Sequence, residues 1–329
     1  MSDRNLAALR QIAEGVHITS SAISWFGTII GRRAGRAPAE AVDDSHLASS
    51  LRDCLYTHYY SIGRPVLVGE ASAWREASME ESLSPPLHIA NPGTGRRERG
   101  WRFVAGAIRV GAIVAEKDGL SVTVAEADAE TVSGEPVSEG CELSLRLPAG
   151  AMSISPGFYV AYSNACLDYA RPLTRIYLNV TPAGGPWLLH SLCTALNEAC
   201  FPFDLKVASE GTSYHRADVA VLYVPRVLAM SSLETVRNVI ASSPGALRPI
   251  VPALVHKVSD GIGVADCPSS GESFGLDRCR IIAAALVSAR GRHNGDERLG
   301  AVAAAFEAEG LSLARPHLGP RQEEIYALA

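Results

Sequence analysis

Residues 171–207 read RPLTRIYLNVTPAGGPWLLHSLCTALNEACFPFDLKV, and the order of elements in this stretch decides the fold. Arg175–Val180 has the composition of a strand. Pro186 then suits the first turn of a helix, where a missing N–H costs nothing, and the helix runs to about Cys200. Phe203–Val207 is a strand again. Downstream, Val219–Val224 and Ala253–Lys257 are predicted strands. Ser231–Ser243 is a predicted helix opened by the capping-box spacing of Ser231 and Glu234. Leu276–Arg290 is a helix that Ser273 caps, and Asp296–Glu309, ended by Gly310, is the last helix.

Upstream, residues 5–16 and 45–62 look helical. The second run spaces Leu47, Leu51, Cys54, Leu55 and Tyr59 at helical intervals and stops at Gly63. Residues 26–44 read as a loop. Residues 80–100, with two consecutive prolines, three glycines and three arginines, form a long irregular segment. Trp101–Val104, Ile108–Glu116 and Leu120–Val124 form a meander with Asp118–Gly119 as a hairpin turn. Cys141–Leu147 alternates strictly and is a strand, as is Phe158–Tyr162. Strands and helices mix without a regular βαβ beat, so the expected class is α+β, a mixed or antiparallel sheet with flanking helices. The expected division is an N-terminal helical segment (1–62), a core (63–290), and a C-terminal helix and tail (291–329).

The chain has 329 residues and nearly half are apolar, enough for a sizeable core. A net charge of −5 argues against a general nucleic-acid binder, which needs cations to neutralise phosphates. No apolar run has membrane-spanning length. Seven cysteines, at 54, 141, 166, 193, 200, 267 and 279, include no C-x-x-C pair. This pattern implies a reducing cytoplasm and no structural metal.

In order, the segments 171–207, YHRADVAVLYV (214–224) and VPALVHKVSDGIGVADCPSSGESFGLDRCRIIAAAL (251–286) resemble the HopA-type effector-like family. Its members include bacterial type III effectors and the lyase subunits of class V lanthipeptide and thioviridamide-like pathways. The lyases are similar to phosphothreonine lyases, which remove phosphate from phosphoserine or phosphothreonine and leave an alkene. The resemblance implies a cofactor-free elimination on a phosphorylated precursor peptide, giving dehydroalanine or dehydrobutyrine. It also implies a separate Ser/Thr kinase partner.

Such an elimination needs a base for the Cα proton, an acid for the leaving phosphate oxygen, and cations for the dianion. In phosphothreonine lyases a loop histidine is the acid, and a lysine roughly thirty residues later is the base. His88 and Lys117 fit these roles. The family pattern also carries a lysine two residues before the histidine, where this chain has Pro86. The alternative for the pair is a surface histidine and a hairpin lysine. A basic lysine must be neutral, so burial or neighbouring cations must depress its pKa. Arg175, Lys206, Arg216 and Arg278 are candidate phosphate ligands, with Lys257 and Arg280 in reserve; Lys257 is also an alternative base. Tyr159, Tyr162 and Asn179 are candidate polar lining, although residues three apart on a strand face opposite sides.

Other motifs are weaker. GESFG (271–275) matches a nucleophile elbow but lacks the preceding strand, which favours Ser273 as a helix cap. NPGTG (91–95) lacks the ending of a P-loop. Cys193, Cys200 and His190 suit packing on an apolar helix better than chemistry. The rival function is a non-catalytic effector or scaffold that binds a kinase, a peptide or a host protein.

Overall fold

The computed structural model describes residues 3–30, 43–76, 82–106, 111–117, 119–292 and 294–326. Its elements are, in order, α1 (Asp3–Gly15), β1 (Val16–Ile18), β2 (Ile23–Trp25), β3 (Thr28–Ile30), α2 (Asp44–Leu55), α3 (Val68–Glu76) and α4 (Ser84–Ala90). Then come β4 (Arg96–Gly106), β5 (Ala112–Lys117), β6 (Leu120–Ala125), β7 (Ala129–Thr131), β8 (Glu142–Leu147), β9 (Gly150–Ser155), β10 (Phe158–Tyr162) and β11 (Leu173–Leu178). They are followed by α5 (Gly185–Glu198), β12 (Asp204–Ala208), β13 (Ala220–Pro225), α6 (Ala229–Ala241), β14 (His256–Ser259), β15 (Ile262–Asp266), α7 (Phe274–Ser288) and α8 (Gly295–Ala308). The class is α+β, with antiparallel sheets.

The central sheet has seven strands in the order β14-β15-β11-β13-β12-β10-β9. Alternation along each strand sends side chains to two faces, and each face has its own helical cover. Ile176, Leu178, Leu205, Leu222 and Val264 pack with Leu188, Leu192 and Leu196 of α5 and Leu233 and Val236 of α6. Tyr177, Val221 and Ala265 face the other way, into a core shared with α1, α2, α7 and α8. The N-terminal helices are therefore built into the same core as α7. A smaller sheet, β6-β5-β4-β8-β7, has its own minor core around Trp101, Ile113, Ala115, Leu143 and Leu145.

Several local expectations need correction. His88 sits in α4, not in an irregular loop: Pro85 and Pro86 fill the first turn of a helix, where no N–H is needed. The rest of 82–100 leads into β4, and residues 80–81 of that segment lie outside the described residues. Within 26–44, Thr28–Ile30 pairs with β2; residues 31–42 lie outside the described residues. So do 108–110 of the second meander strand and Asp118 of the hairpin, although Lys117 pairs with Leu120 and Gly119 has φ +78. Ser231 and Glu234 lie inside α6, which begins at Ala229 because a 3-10 turn, Arg226–Leu228, feeds directly into it. Of Ala253–Lys257 only His256 and Lys257 are strand; Leu254 before them has φ +67, which breaks an extended chain.

Candidate functional site

One row of paired residues crosses the central sheet on the face shared with α7. Tyr162 pairs with Asp204, Asp204 with Tyr223, Tyr223 with Arg175, and Arg175 with Ala265. Directly opposed residues point to the same side. Lys206, two residues along β12 from Asp204, joins them on that face. The next row, Val221 and Tyr177, is buried under the helices. Asp204, Tyr223 and Arg175 of the first row, with Lys206, lie just beyond that cover and face a cleft of 720 Å³. Its walls are the loop at Tyr169–Leu173, the loop from Cys267 to Ser273, and Gly319, Pro320 and Gln322 of the C-terminal tail.

Arg175 is 7% exposed and donates from Nε to Cys267 Sγ (3.3 Å) and from Nη2 to the Glu272 carbonyl (2.9 Å). Among the described residues it has no ion pair. Its guanidinium carbon lies 5.2 Å from the Tyr223 ring centroid, and Lys206 Nζ lies 5.5 Å from the same centroid. Burial, and then the Arg175 charge, hold the Lys206 ammonium below its ordinary pKa, against the pull of Asp204. Burial raises the pKa of the Asp204 carboxyl, which accepts a hydrogen bond from the Tyr169 hydroxyl. Burial raises the Cys267 thiol as well, which does not favour a thiolate nucleophile. The other cleft cations are neutralised: Arg226 pairs with Asp266 (3.0 Å) and Arg171 with Asp168 (3.2 Å). Ser273 Oγ accepts from Leu276 N (3.2 Å) and caps α7, so the positive end of that helix opens at the cleft. The elbow-like GESFG is thus a cap, and Gly275 is the close approach of α7 to Tyr60.

The sequence-derived candidates divide. Arg175 and Lys206 meet in this cleft, and Tyr162 stands on the same face with Arg96 over its ring (5.5 Å). Tyr159 lies on the opposite face, buried in the α5 core. There its hydroxyl accepts from Asn91 Nδ2 (3.0 Å) and lies 3.3 Å from His88 Nδ1. His88 is exposed and separated from Lys206 by the sheet itself. Lys117 belongs to the smaller sheet, with Nζ 2.6 Å from Glu98 and bonded to the Arg99 carbonyl (3.0 Å). Among the described residues its link towards the cleft runs through Glu98, Arg96 (3.6 Å from Glu98) and Tyr162. Lys257 pairs with Asp260 at 2.6 Å, and Arg280 with Glu309 at 3.0 Å.

Arg278 is no free cation. It is 2% exposed, pairs with Asp277, and donates to the carbonyls of Pro316 (2.8 Å) and Leu318 (3.0 Å). It holds the tail that walls the cleft. Asn179 and Arg216 line a second cleft at the far end of β11, where Arg216 forks onto Asp218. Sequence reasoning missed Asp204, Tyr169 and Tyr223. Asp204 was within reach, because it shares strand and alternation parity with Lys206; Tyr223 joins the site only through the pairing of β13 with β11 and β12. Among the described residues no group of three or more His, Cys, Asp or Glu is arranged to hold a metal.

The HopA1 effector protein family model matches residues 150–318, more than half of the chain. The chain therefore belongs to the HopA1 effector protein family. It is similar in fold to the structure of the effector protein from Pseudomonas syringae pv. syringae strain 61, with 13% identity, 98% of this chain and 99% of that one covered, and a TM-score of 0.50. The structure of the effector protein from Pseudomonas syringae pv. tomato strain DC3000 aligns with 15% identity over 87% of this chain and 91% of that one, at a TM-score of 0.48. No match was found among curated proteins. Among the described residues no helix is long and apolar enough to cross a membrane.

Proposed function

We propose that this chain is a lyase that eliminates phosphate from phosphoserine or phosphothreonine of a precursor peptide, in the manner of the lanthipeptide and thioviridamide-type enzymes its segments resemble. The observation that carries the reading is the pair Arg175 and Lys206 over Tyr223, two cations in one cleft without, among the described residues, an ion pair between either and a carboxylate. Arg175 and the positive end of α7 suit the phosphate dianion. The roles of the base and the acid shift from Lys117 and His88 to groups on β12. Neutral Lys206 takes the Cα proton, the Cβ–O bond breaks to leave the alkene, and the phosphate departs held by Arg175. Asp204, with its raised pKa, returns a proton to the leaving oxygen. No cofactor is required by this chemistry. The phosphorylated peptide comes from a separate kinase, and the setting is the cytoplasm, where seven unpaired cysteines stay reduced.

The dispersal of His88 and Lys117 is what favours the second reading, a non-catalytic effector or scaffold. One experiment separates the two. A phosphoserine peptide is incubated with the protein and its neighbouring kinase, with a thiol added as trap, and followed by mass spectrometry. Loss of phosphoric acid with thiol addition is the expected result. Restored serine identifies a phosphatase, and an unchanged peptide with cognate kinase and substrate leaves the scaffold.

A further inference from the structure

The second cleft, of 530 Å³, is lined by Ile62, Leu83, Pro182 and Ile250 together with the ring of Trp74. Among the described residues its charged lining has one sign: Arg64, Arg216 and Arg248 contribute, and no Asp or Glu does. Arg216 is neutralised by Asp218, with contacts of 2.8 and 2.7 Å. Arg64 and Arg248 have no ion pair among the described residues. Arg64 lies over the Trp74 ring at 5.7 Å. Arg248 is held by neutral acceptors only: Asn179 Oδ1 at 2.6 Å, the Arg216 carbonyl at 3.1 Å, and the Tyr214 carbonyl. Its Nε is buried with no hydrogen-bond partner. A half-buried guanidinium met by neutral acceptors keeps its full charge in a partly desolvated place, which an arriving carboxylate complements.

We propose that this cleft anchors an acidic peptide segment, an aliphatic or aromatic side chain entering the apolar floor while a flanking carboxylate meets Arg248 and Arg64. The inference rests on the reading of the chain as an enzyme of peptides, and it adds a docking site away from the chemistry. Asn179 stands four residues beyond Arg175 along one extended run, roughly 13 Å away. Tyr177 and Tyr60 are buried between the two clefts. An anchored segment thus holds the substrate without occupying the reaction cleft. The mostly apolar lining suits a side chain flanked by carboxylates better than a nucleotide, whose base and phosphates need many donors.

The test is fluorescence anisotropy of a fluorescein-labelled, unphosphorylated peptide of alternating glutamate and leucine, titrated with the full chain at low salt. Saturable binding is expected, weakened at least about tenfold in Arg64→Gln and in Arg248→Gln. It is expected to be unaltered in Arg175→Gln and lost when glutamine replaces glutamate in the peptide. Arg64 is exposed, so an unchanged melting curve for Arg64→Gln keeps the result interpretable if Arg248→Gln fails to fold. Four outcomes overturn the proposal: no binding by the wild type, equal affinity in Arg64→Gln, equal binding of the glutamine peptide, or an equal loss in Arg175→Gln. The probe carries no phosphate and the readout needs no turnover, so this result is independent of whether elimination occurs.

Discussion

The Arg175 guanidinium and the Lys206 ammonium, on the strands either side of β13, both lie over the Tyr223 ring, at 5.2 and 5.5 Å from its centroid. The ring offsets part of their charge without neutralising either group as a carboxylate would. Two like charges held this way make proton release from the lysine easier and anion capture by the arginine stronger. Phosphate elimination requires both.

Replacing Lys206 therefore separates binding from chemistry. Lys206→Arg keeps the positive charge but removes the base, and Lys206→Met removes both. Both variants are expected to lose about 10²- to 10⁴-fold in kcat, with phosphopeptide affinity weakened only in Lys206→Met. Single-turnover mass spectrometry with a parallel binding titration reads the two effects. His88→Ala and Lys117→Ala, across the sheet and beyond Glu98, are expected to leave the rate nearly unchanged. A loss in those variants as deep as in Lys206→Arg returns the acid and base to His88 and Lys117.

The lowered Lys206 pKa also sets a pH dependence. The reactive amine is neutral, so kcat rises with pH through a value below the ordinary 10.5. Stability follows the same direction. Below the folded-state pKa both states are protonated and folding carries the full cost of burying the charge. As pH climbs from the lowered value towards 10.5, the unfolded chain holds more protons and the cost fades. Urea midpoints are expected to rise across that window in the wild type and to stay flat there in Lys206→Met. Parallel curves for the two proteins contradict the assignment.

Asp204 runs the other way. Burial raises its pKa from 3.8, so its contribution to stability is full below that value and is lost as pH rises through the raised one. Asp204→Asn keeps an acceptor for the Tyr169 hydroxyl and removes the buried charge. It is expected to melt roughly 1–3 °C higher near neutral pH while elimination falls. A variant with lowered stability and wild-type rate leaves Asp204 as a structural residue only.

Much of the fold was legible because its signals are local. Phe158–Tyr162 has the bounds read from the sequence, Pro186 opens α5, and Ser273 caps α7. β15 was not legible. It reads IGVAD straight after Gly261, and the two glycines serve the turn and the packing: Gly261 has φ +73, and a Cβ on Gly263 would lie 2.7 Å from Val255. Of the site, Arg175 and Lys206 could be read as basic residues on strands, but their meeting depends on the pairing of β11, β13 and β12, which no local pattern reports. Arg278, on a predicted helix, was an equal candidate as a phosphate-binding cation. Its pairing with Asp277 and the tail carbonyls thirty-eight and forty residues away distinguish it from Arg175.

Gly275 tests the packing that sets the first helical turn of α7. A Cβ there would lie 2.2 Å from the Tyr60 ring, on a stretch where Tyr60 stacks on Tyr56 at 5.3 Å. Gly275→Ala must push α7 or the ring aside and is expected to destabilise by about 1–3 kcal/mol. The cleft loop before Ser273 shifts with it. A thermal melt at or above wild type, despite the gain in helix propensity that alanine brings, contradicts this close approach.

Arg278 makes the tail a wall of the cleft, so its loss is expected to act on substrate binding through stability. Arg278→Gln removes the donors to Pro316 and Leu318 and leaves Asp277, buried and previously paired, with only Arg280 at 3.3 Å. Breaking a buried ion pair from one side costs about 3–5 kcal/mol. Gly319, Pro320 and Gln322 are released from the cleft wall, so KM rises more than kcat falls. Limited proteolysis is expected to cut the variant near residues 315–321 well below its melting temperature. If Arg278 instead touched phosphate directly, kcat would collapse while the tail stayed protected.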